Sequence, residues 1–398
     1  MQSIKEVFYI GHGPSSSHTI GPYNATKYVL YKYKNAKQID VTLYGSLAST
    51  GKGHLTDYII DLELKDVIHH IFFNNKKKMK HPNTMVFEIT LSNDKKVKEV
   101  IESIGGGAIH TKDEKKIKPI DVYPHQSLKE ILEHCNKRGY KLEDYVLRHE
   151  GEMVLDYIDE IIKTMKEAIS RGLKTEGDLP GDLHVKRKAR AMYLKMQKDR
   201  KDNDIQTNVA IASFAVAEEN AAGGIIVVAP TCGSAGVLPG VLKYLEMKKV
   251  PQERIKRGFL VAGLIGLLAK TNASISGAEA GCQAEIGVAC AMGAALIATA
   301  LRYDNNAIAQ SAEVALEHSL GLTCDPVKGY VQIPCIERCA IFALKAIDAV
   351  SVVSILPKEA NKITFDESLL TMYLTGKDLK AGYRETAKKG LAKVMGKK

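Results

Sequence analysis

Three cysteines in unlike surroundings are the residues of this chain best suited to do chemistry: Cys282 in GAEAGCQAEIG, Cys324 in HSLGLTCDPVKG and Cys335 in VQIPCIERC. Thiolates gathered from distant segments can hold three corners of an iron–sulfur cluster and leave one iron open for substrate. Spacing alone does not select these three. Cys339 lies four positions after Cys335, on the same face if that segment is helical, and competes as a ligand. Cys290, in IGVACAMGAALIATAL, and Cys135, in LKEILEHCNK, read as core packing. Zinc is the rival metal, but structural zinc favours close C-x-x-C or H-x-x-x-H pairs and the chain has no C-x-x-C.

Several other stretches look made to surround a small anion. GHGPSSSHTIGP sets Ser15, Ser16, Ser17, His18 and Thr19 between Gly-Pro breakers just before a helical pattern. Serine hydroxyls and backbone N–H groups at a helix start suit a carboxylate or phosphate, and equally serve as N-caps. GSLASTGKGHLTD tempts a P-loop reading, but Gly53 stands where Ser or Thr is required, leaving Lys52 and His54 as candidate site residues. Small polar residues crowd KTNASISGAEAGCQAE, from Lys270 to Glu285, directly ahead of an apolar helix. A ligand or cluster can approach closely there.

The elements that must position these groups fall into two kinds. Residues 1 to about 125 mix strand-like IDVTLYGS, TMVFEITL and IKPIDVY with helical NATKYVLYKY, giving an α+β N-terminal domain. Residues 126–398 carry almost wholly helical patterns, from SLKEILEHCNKRG to CAIFALKAIDAVSVVSIL, giving a large all-α domain. Many of these helices are apolar on most faces, as at the centre of a large helical domain. The apolar run Ile286 to Leu301 is shorter than the roughly 20 residues that span a bilayer, so it reads as a core helix rather than a membrane span.

Composition narrows the setting. Seven cysteines in 398 residues, without paired spacing, argue for a reduced, cytoplasmic compartment. The N-terminus has no apolar stretch of signal-peptide length. Net charge is +10, with clusters KKKMK, VKRKAR and KDRK, but no aromatic interleaving or nucleic-acid motif accompanies it. The charge reads as a solvated surface, and no nucleic acid is expected.

In combination, these segments resemble the iron–sulfur-dependent L-serine dehydratases (L-serine ammonia-lyases) of the single-chain type. GPSSSHTIGP, YGSLASTGKGHLTD and SIGGGAI are similar to the family's N-terminal segment. AEENAAGG, APTCGSAGVLPGVL, NASISGAEAGCQAEIGVACAMGAA, EHSLGLTCDPVKGYVQIPCIER and TGKDLKAGYRET are similar to its helical segment, so the likeness spans nearly the whole chain. The resemblance implies that Cys282, Cys324 and Cys335 bind a 4Fe-4S cluster, with Cys339 and Cys290 left to packing. It implies deamination of L-serine to pyruvate and ammonia without pyridoxal phosphate. His18, His54 and Lys270 are candidates for the base that removes the Cα proton, or for orienting the carboxylate. Ser15, Ser17, Thr19, Asn272 and Ser274 are expected on the carboxylate or ammonium. Glu218 and Asn220 either reach the amine or cap a helix end. A homodimer is expected.

Two departures from the family pattern stand out. Some members end in a cysteine that occupies the fourth iron, whereas this chain ends GLAKVMGKK, which leaves the expected cluster open to water and oxygen. The passage between GKGHLTD and TMVFEITL is also short. Rival readings are a zinc or cluster sensor, a basic nucleic-acid binder, and a dehydratase of threonine, D-serine or cysteine. An extra methyl changes transition-state binding by only about 1–3 kcal/mol, so threonine stays open.

Overall fold

A computed structural model describes residues 1–111, 121–198, 204–357 and 362–395. Its contacts divide the chain into two compact units: Gly11–Lys118 with Ala222–Gly224, and Met1–Ile10 with Pro119–Ala221 and Ile225–Lys398. The first unit mixes strands with helices and the second is largely helical, as the pattern of the sequence indicates.

Seven strands are present among the described residues: β1 (Tyr9–His12), β2 (Ala36–Tyr44), β3 (Ile68–Asn74), β4 (Thr84–Leu91), β5 (Lys96–Gly105), β6 (Ala108–Thr111) and β7 (Ile225–Val228). The α/β unit is built on a five-stranded sheet in the order β3-β2-β4-β5-β6. Only β2 and β3 run parallel, with Val41 opposite Ile71; the other neighbours are antiparallel. Alternation along β2 sends Ile39, Val41 and Leu43 to one face, where all three are fully buried. The helices Gly21–Lys32 and Thr56–Leu64 cover that face with Ala25, Val29, Ile59, Ile60 and Leu64. The strand expected in IKPIDVY does not form at Asp121–Tyr123, and its residues 117–120 lie outside the described residues.

The helical unit is organised around Val288–Ala300, in which every residue is buried. It packs against Gln252–Asn272, Asn305–Glu317, Cys335–Val353 and Val237–Met247. A helix apolar all round is stable in water only when neighbours enclose it. Close crossing requires small residues: a Cβ on Gly258 would sit 2.6 Å from Leu296 Cδ1. Among the described residues, the segment Gln283–Ala300 is the one long and apolar enough to cross a membrane, and 94% of it is buried inside the protein.

The first ten residues belong to this unit. Ile4 and Phe8 pack where Gly263 leaves room, and Phe8 lies 6.2 Å from Phe259 between ring centroids. The Glu150 carboxylate accepts from Ser3 Oγ, Ile4 N–H and the Tyr123 hydroxyl, each at 2.7 Å.

Candidate metal centre and imidazole cluster

Within the helical unit, the backbone brings Cys282 and Cys324 together. Gly281 takes φ +79°, a conformation open to glycine, and turns the short helix Gly277–Ala280 into Cys282. A π-helical turn, Gln283–Gly287, then leads into the buried helix. Gln283 is fully buried. Its Nε2 donates to Ala280 O (2.8 Å) and Met372 O (3.2 Å), and its Oε1 accepts from Gly321 N–H (2.9 Å). That side chain ties the Cys282 turn to the loop preceding Cys324. Cys324 is fixed in turn by its own N–H to Tyr383 O (2.9 Å) and by Glu385 N–H to its carbonyl (2.7 Å). Cys335 is the first residue of the helix Cys335–Val353.

The side chains converge with mixed chemistry. Cys324 Sγ lies 3.6 Å from Glu285 Oε2, and one donor atom each of Cys282, Cys324 and Glu285 lies within 4.8 Å of the others. Cys282 shares hydrogen bonds with Cys324 and with the Arg338 guanidinium. Those two influences bring the Cys282 thiol down to about 7 against the opposing effect of burial. The bond with Cys282 and burial hold Cys324 well above the usual thiol range, while burial and then the charge of Cys282 do the same for Cys335. Burial, then the neighbouring Cys282, push Glu285 up to about 8. Arg338 also donates to Thr323 O at 2.9 Å and so braces the Cys324 loop.

These residues fit an iron–sulfur cluster. Soft sulfur donors come from three separate segments: Cys282 and Cys335 lie within reach of the Arg338 cation, which offsets thiolate charge, and Cys324 meets Cys282. Space has been cleared for them: a Cβ on Gly277 would stand 3.0 Å from Cys324 Sγ and 2.9 Å from Glu285 Cδ. The remaining cysteines are engaged elsewhere. Cys339 donates to Gly233 O at 3.3 Å, and Cys135, Cys232 and Cys290 are buried.

A second cluster lies within the α/β unit. Ser15 caps the π-helical turn Ser16–Ile20 by accepting from His18 N–H at 3.2 Å. The His18 ring is held at both nitrogens by hydroxyls, Nδ1 by Ser17 Oγ (2.9 Å) and Nε2 by Ser46 Oγ (2.8 Å). Thr19 Oγ1 donates to His54 O at 2.7 Å, and the two imidazoles stand 4.7 Å apart between centroids. Burial, then His54, lower the His18 pKa to about 3, and burial lowers His54 as well. His54 is only 4% exposed. Its Nδ1 must carry the proton that Thr50 O accepts at 3.1 Å, so its Nε2 holds a lone pair, and that atom has no partner.

The other expected site residues lie in the helical unit and are scattered. Lys270 Nζ is bound to Glu6, at 3.0 Å from the carboxylate and 3.1 Å from the carbonyl. Asn272 Nδ2 donates to Gln126 O at 2.6 Å, and Ser274 Oγ to Glu279 at 2.8 Å. Glu218 accepts the N–H groups of Lys188 and Ala189 and so caps the helix Ala189–Lys198. Asn220 is 2% exposed with its Oδ1 unpartnered. Sequence reasoning missed Glu285, Arg338, Gln283 and Ser46. The spacings Cys282-x-x-Glu285 and Cys335-x-x-Arg338 were the available signals.

The matches to known proteins point first to a class, the dehydratases among lyases. The family model of the serine dehydratase beta chain matches residues 3–70 and that of the serine dehydratase alpha chain residues 68–392. The chain belongs to the serine dehydratase family, with both segments in one polypeptide. It is 38% identical over 450 residues to the L-serine dehydratase of Haemophilus influenzae, covering 98% of this chain and 99% of that one. L-serine dehydratase 1 of Escherichia coli is 37% identical over 449 residues (98% and 99% covered), and the Helicobacter pylori (strain ATCC 700392 / 26695) L-serine dehydratase 36% over 452 (99% and 99%). These alignments are longer than the chain's 398 residues, so the relatives carry residues that this chain lacks.

Proposed function

We propose that this protein deaminates L-serine to pyruvate and ammonia, using a 4Fe-4S cluster held by Cys282, Cys324 and Cys335 and no pyridoxal phosphate. The observation that carries the reading is the convergence of thiols and Arg338 in a pocket that Gly277 keeps clear. When bound, such a cluster supplies a Lewis acid for a poor hydroxide leaving group.

The protein's own residues account for the remaining chemistry. His54 Nε2, neutral and unpartnered, takes the Cα proton as hydroxide leaves Cβ. Burial keeps the His54 ring neutral, and His18, fixed between Ser17 and Ser46, stands beside it with ring centroids 4.7 Å apart. Ser15 and Ser17 supply hydroxyls for the substrate carboxylate, whereas the buried Thr19 hydroxyl donates to His54 O and so positions that segment. The unpartnered Asn220 Oδ1 is an acceptor for the ammonium, with Asn272 and Ser274 as further polar contacts. Lys270, tied to Glu6, orients rather than abstracts. Loss of water leaves 2-aminoacrylate, which tautomerises to an imine and is hydrolysed to pyruvate and ammonia. The same reading makes the protein a homodimer in the reducing cytoplasm.

The test is anaerobic reconstitution with ferrous iron and sulfide, followed by pyruvate or 2-oxobutyrate release from L-serine, D-serine and L-threonine. L-serine is expected to be turned over fastest. No turnover on any of them refutes the reading.

A further inference from the structure

We propose that Glu285 is the fourth protein donor of this centre, an exchangeable carboxylate ligand beside the three cysteines; this rests on the cluster reading above. The position is specific. Glu285 follows Cys282 by three residues on the π-helical turn, and its Oε2 is 3.6 Å from Cys324 Sγ. It completes, with Cys282 and Cys324, the one group among the described residues whose ligand atoms lie close enough together to hold a metal ion.

Its surroundings are those of a ligand rather than of a structural acid. Among the described residues no Lys or Arg forms an ion pair with it, although surface and buried carboxylates elsewhere in the chain do pair, as Glu219 does with Arg187 at 2.8 Å. Its partners are the Cys324 thiol and the Thr231 hydroxyl, which orients one oxygen. Gly277 makes room for it, since a Cβ there would collide with the carboxylate. A carboxylate in a tight, half-buried space that forms no ion pair, with Arg338 acting on it only from beyond pairing distance, is costly as an anion unless it coordinates a metal or takes up a proton. An oxygen among three sulfur donors is also the weakest ligand to iron in the set, and so the one that a substrate hydroxyl or carboxylate displaces.

The experiment compares wild type, Glu285→Gln, Glu285→Asp and Cys282→Ser after anaerobic reconstitution. Iron and sulfide per chain are measured, then the growth of the three-iron electron paramagnetic resonance signal on ferricyanide oxidation. Wild type is expected to load fully and Cys282→Ser to lose at least half its iron. Glu285→Gln is expected to load but to release the fourth iron at least threefold faster, with Glu285→Asp in between. Glu285→Ser replaces the Gln variant should that one fail to fold by circular dichroism. Release from the carboxamide or serine variant at the wild-type rate overturns the inference alone. A wild-type chain that takes up no iron and sulfide overturns the cluster reading and the inference with it.

Discussion

Replacing Gln283 by Leu should uncouple the two cysteine segments while nearly conserving volume. The side chain is fully buried and makes three hydrogen bonds, to Ala280 O, Met372 O and Gly321 N–H. Orphaning a buried polar group costs about 1–3 kcal/mol. Three groups set an upper bound near 9 kcal/mol, but Met372 O also serves its own helix and Gly321 is exposed to water. A net loss of roughly 2–5 kcal/mol follows. Urea unfolding of the metal-free protein, followed by far-ultraviolet circular dichroism, should show a lower midpoint with an unchanged slope. After reconstitution, iron retained through gel filtration should fall at least twofold, because the Cys282 turn and the Cys324 loop no longer share a brace. A variant within about 0.5 kcal/mol of wild type that keeps its iron would overturn this expectation, since the hydrogen bonds would then contribute nothing net (a typical single bond is worth about 1 kcal/mol).

Gly277→Ala places a methyl 3.0 Å from Cys324 Sγ and should cost about 1–3 kcal/mol by overpacking, with reduced iron uptake measured by mass spectrometry of the metal. His54→Gln should lower kcat for pyruvate release by about 10²–10⁴ while leaving the melting temperature within a few degrees. His18 is held neutral by burial, with a pKa of about 3 against an ordinary 6.5. The unfolded chain therefore binds the extra proton between those values, and stability is full above pH 6.5 and is lost as pH falls towards 3. Thermal midpoints recorded across that window should drop more steeply for wild type than for His18→Gln.

Periodicity carried the architecture where one element writes its own pattern. TMVFEITL is β4 residue for residue, and NATKYVLYKY follows the helix Gly21–Lys32 to its C-cap at Tyr33. The strand expected at IDVTLYGS ends at Tyr44, because Gly45 at φ +56° starts the helix Gly45–Thr50 and lifts Ser46 towards His18. Motif content likewise singled out Cys282, Cys324 and His54. Glu285 was illegible because a Cys-x-x-Glu spacing at the mouth of an apolar helix looks like an ordinary first turn. Its meaning comes from Cys324, thirty-nine residues away in sequence. Arg338 and Gln283 likewise act through partners more than fifty residues away in the chain, Cys282 and Met372. Lys270 illustrates the converse: its motif suggested a base, but its neighbour in space is Glu6, which no local pattern announces.

The membership of Met1–Ile10 in the helical unit has a consequence for synthesis on the ribosome. Those residues emerge first, yet the surface they occupy includes Phe259 and Gly263, made more than two hundred residues later. The leading segment can dock only once the long helices that carry Phe259 and Gly263 are out. Any attempt to express the protein as two separate polypeptides cut near residue 118 strands that segment on the wrong piece. Moving residues 1–10 onto the front of the second polypeptide is what a working split version requires.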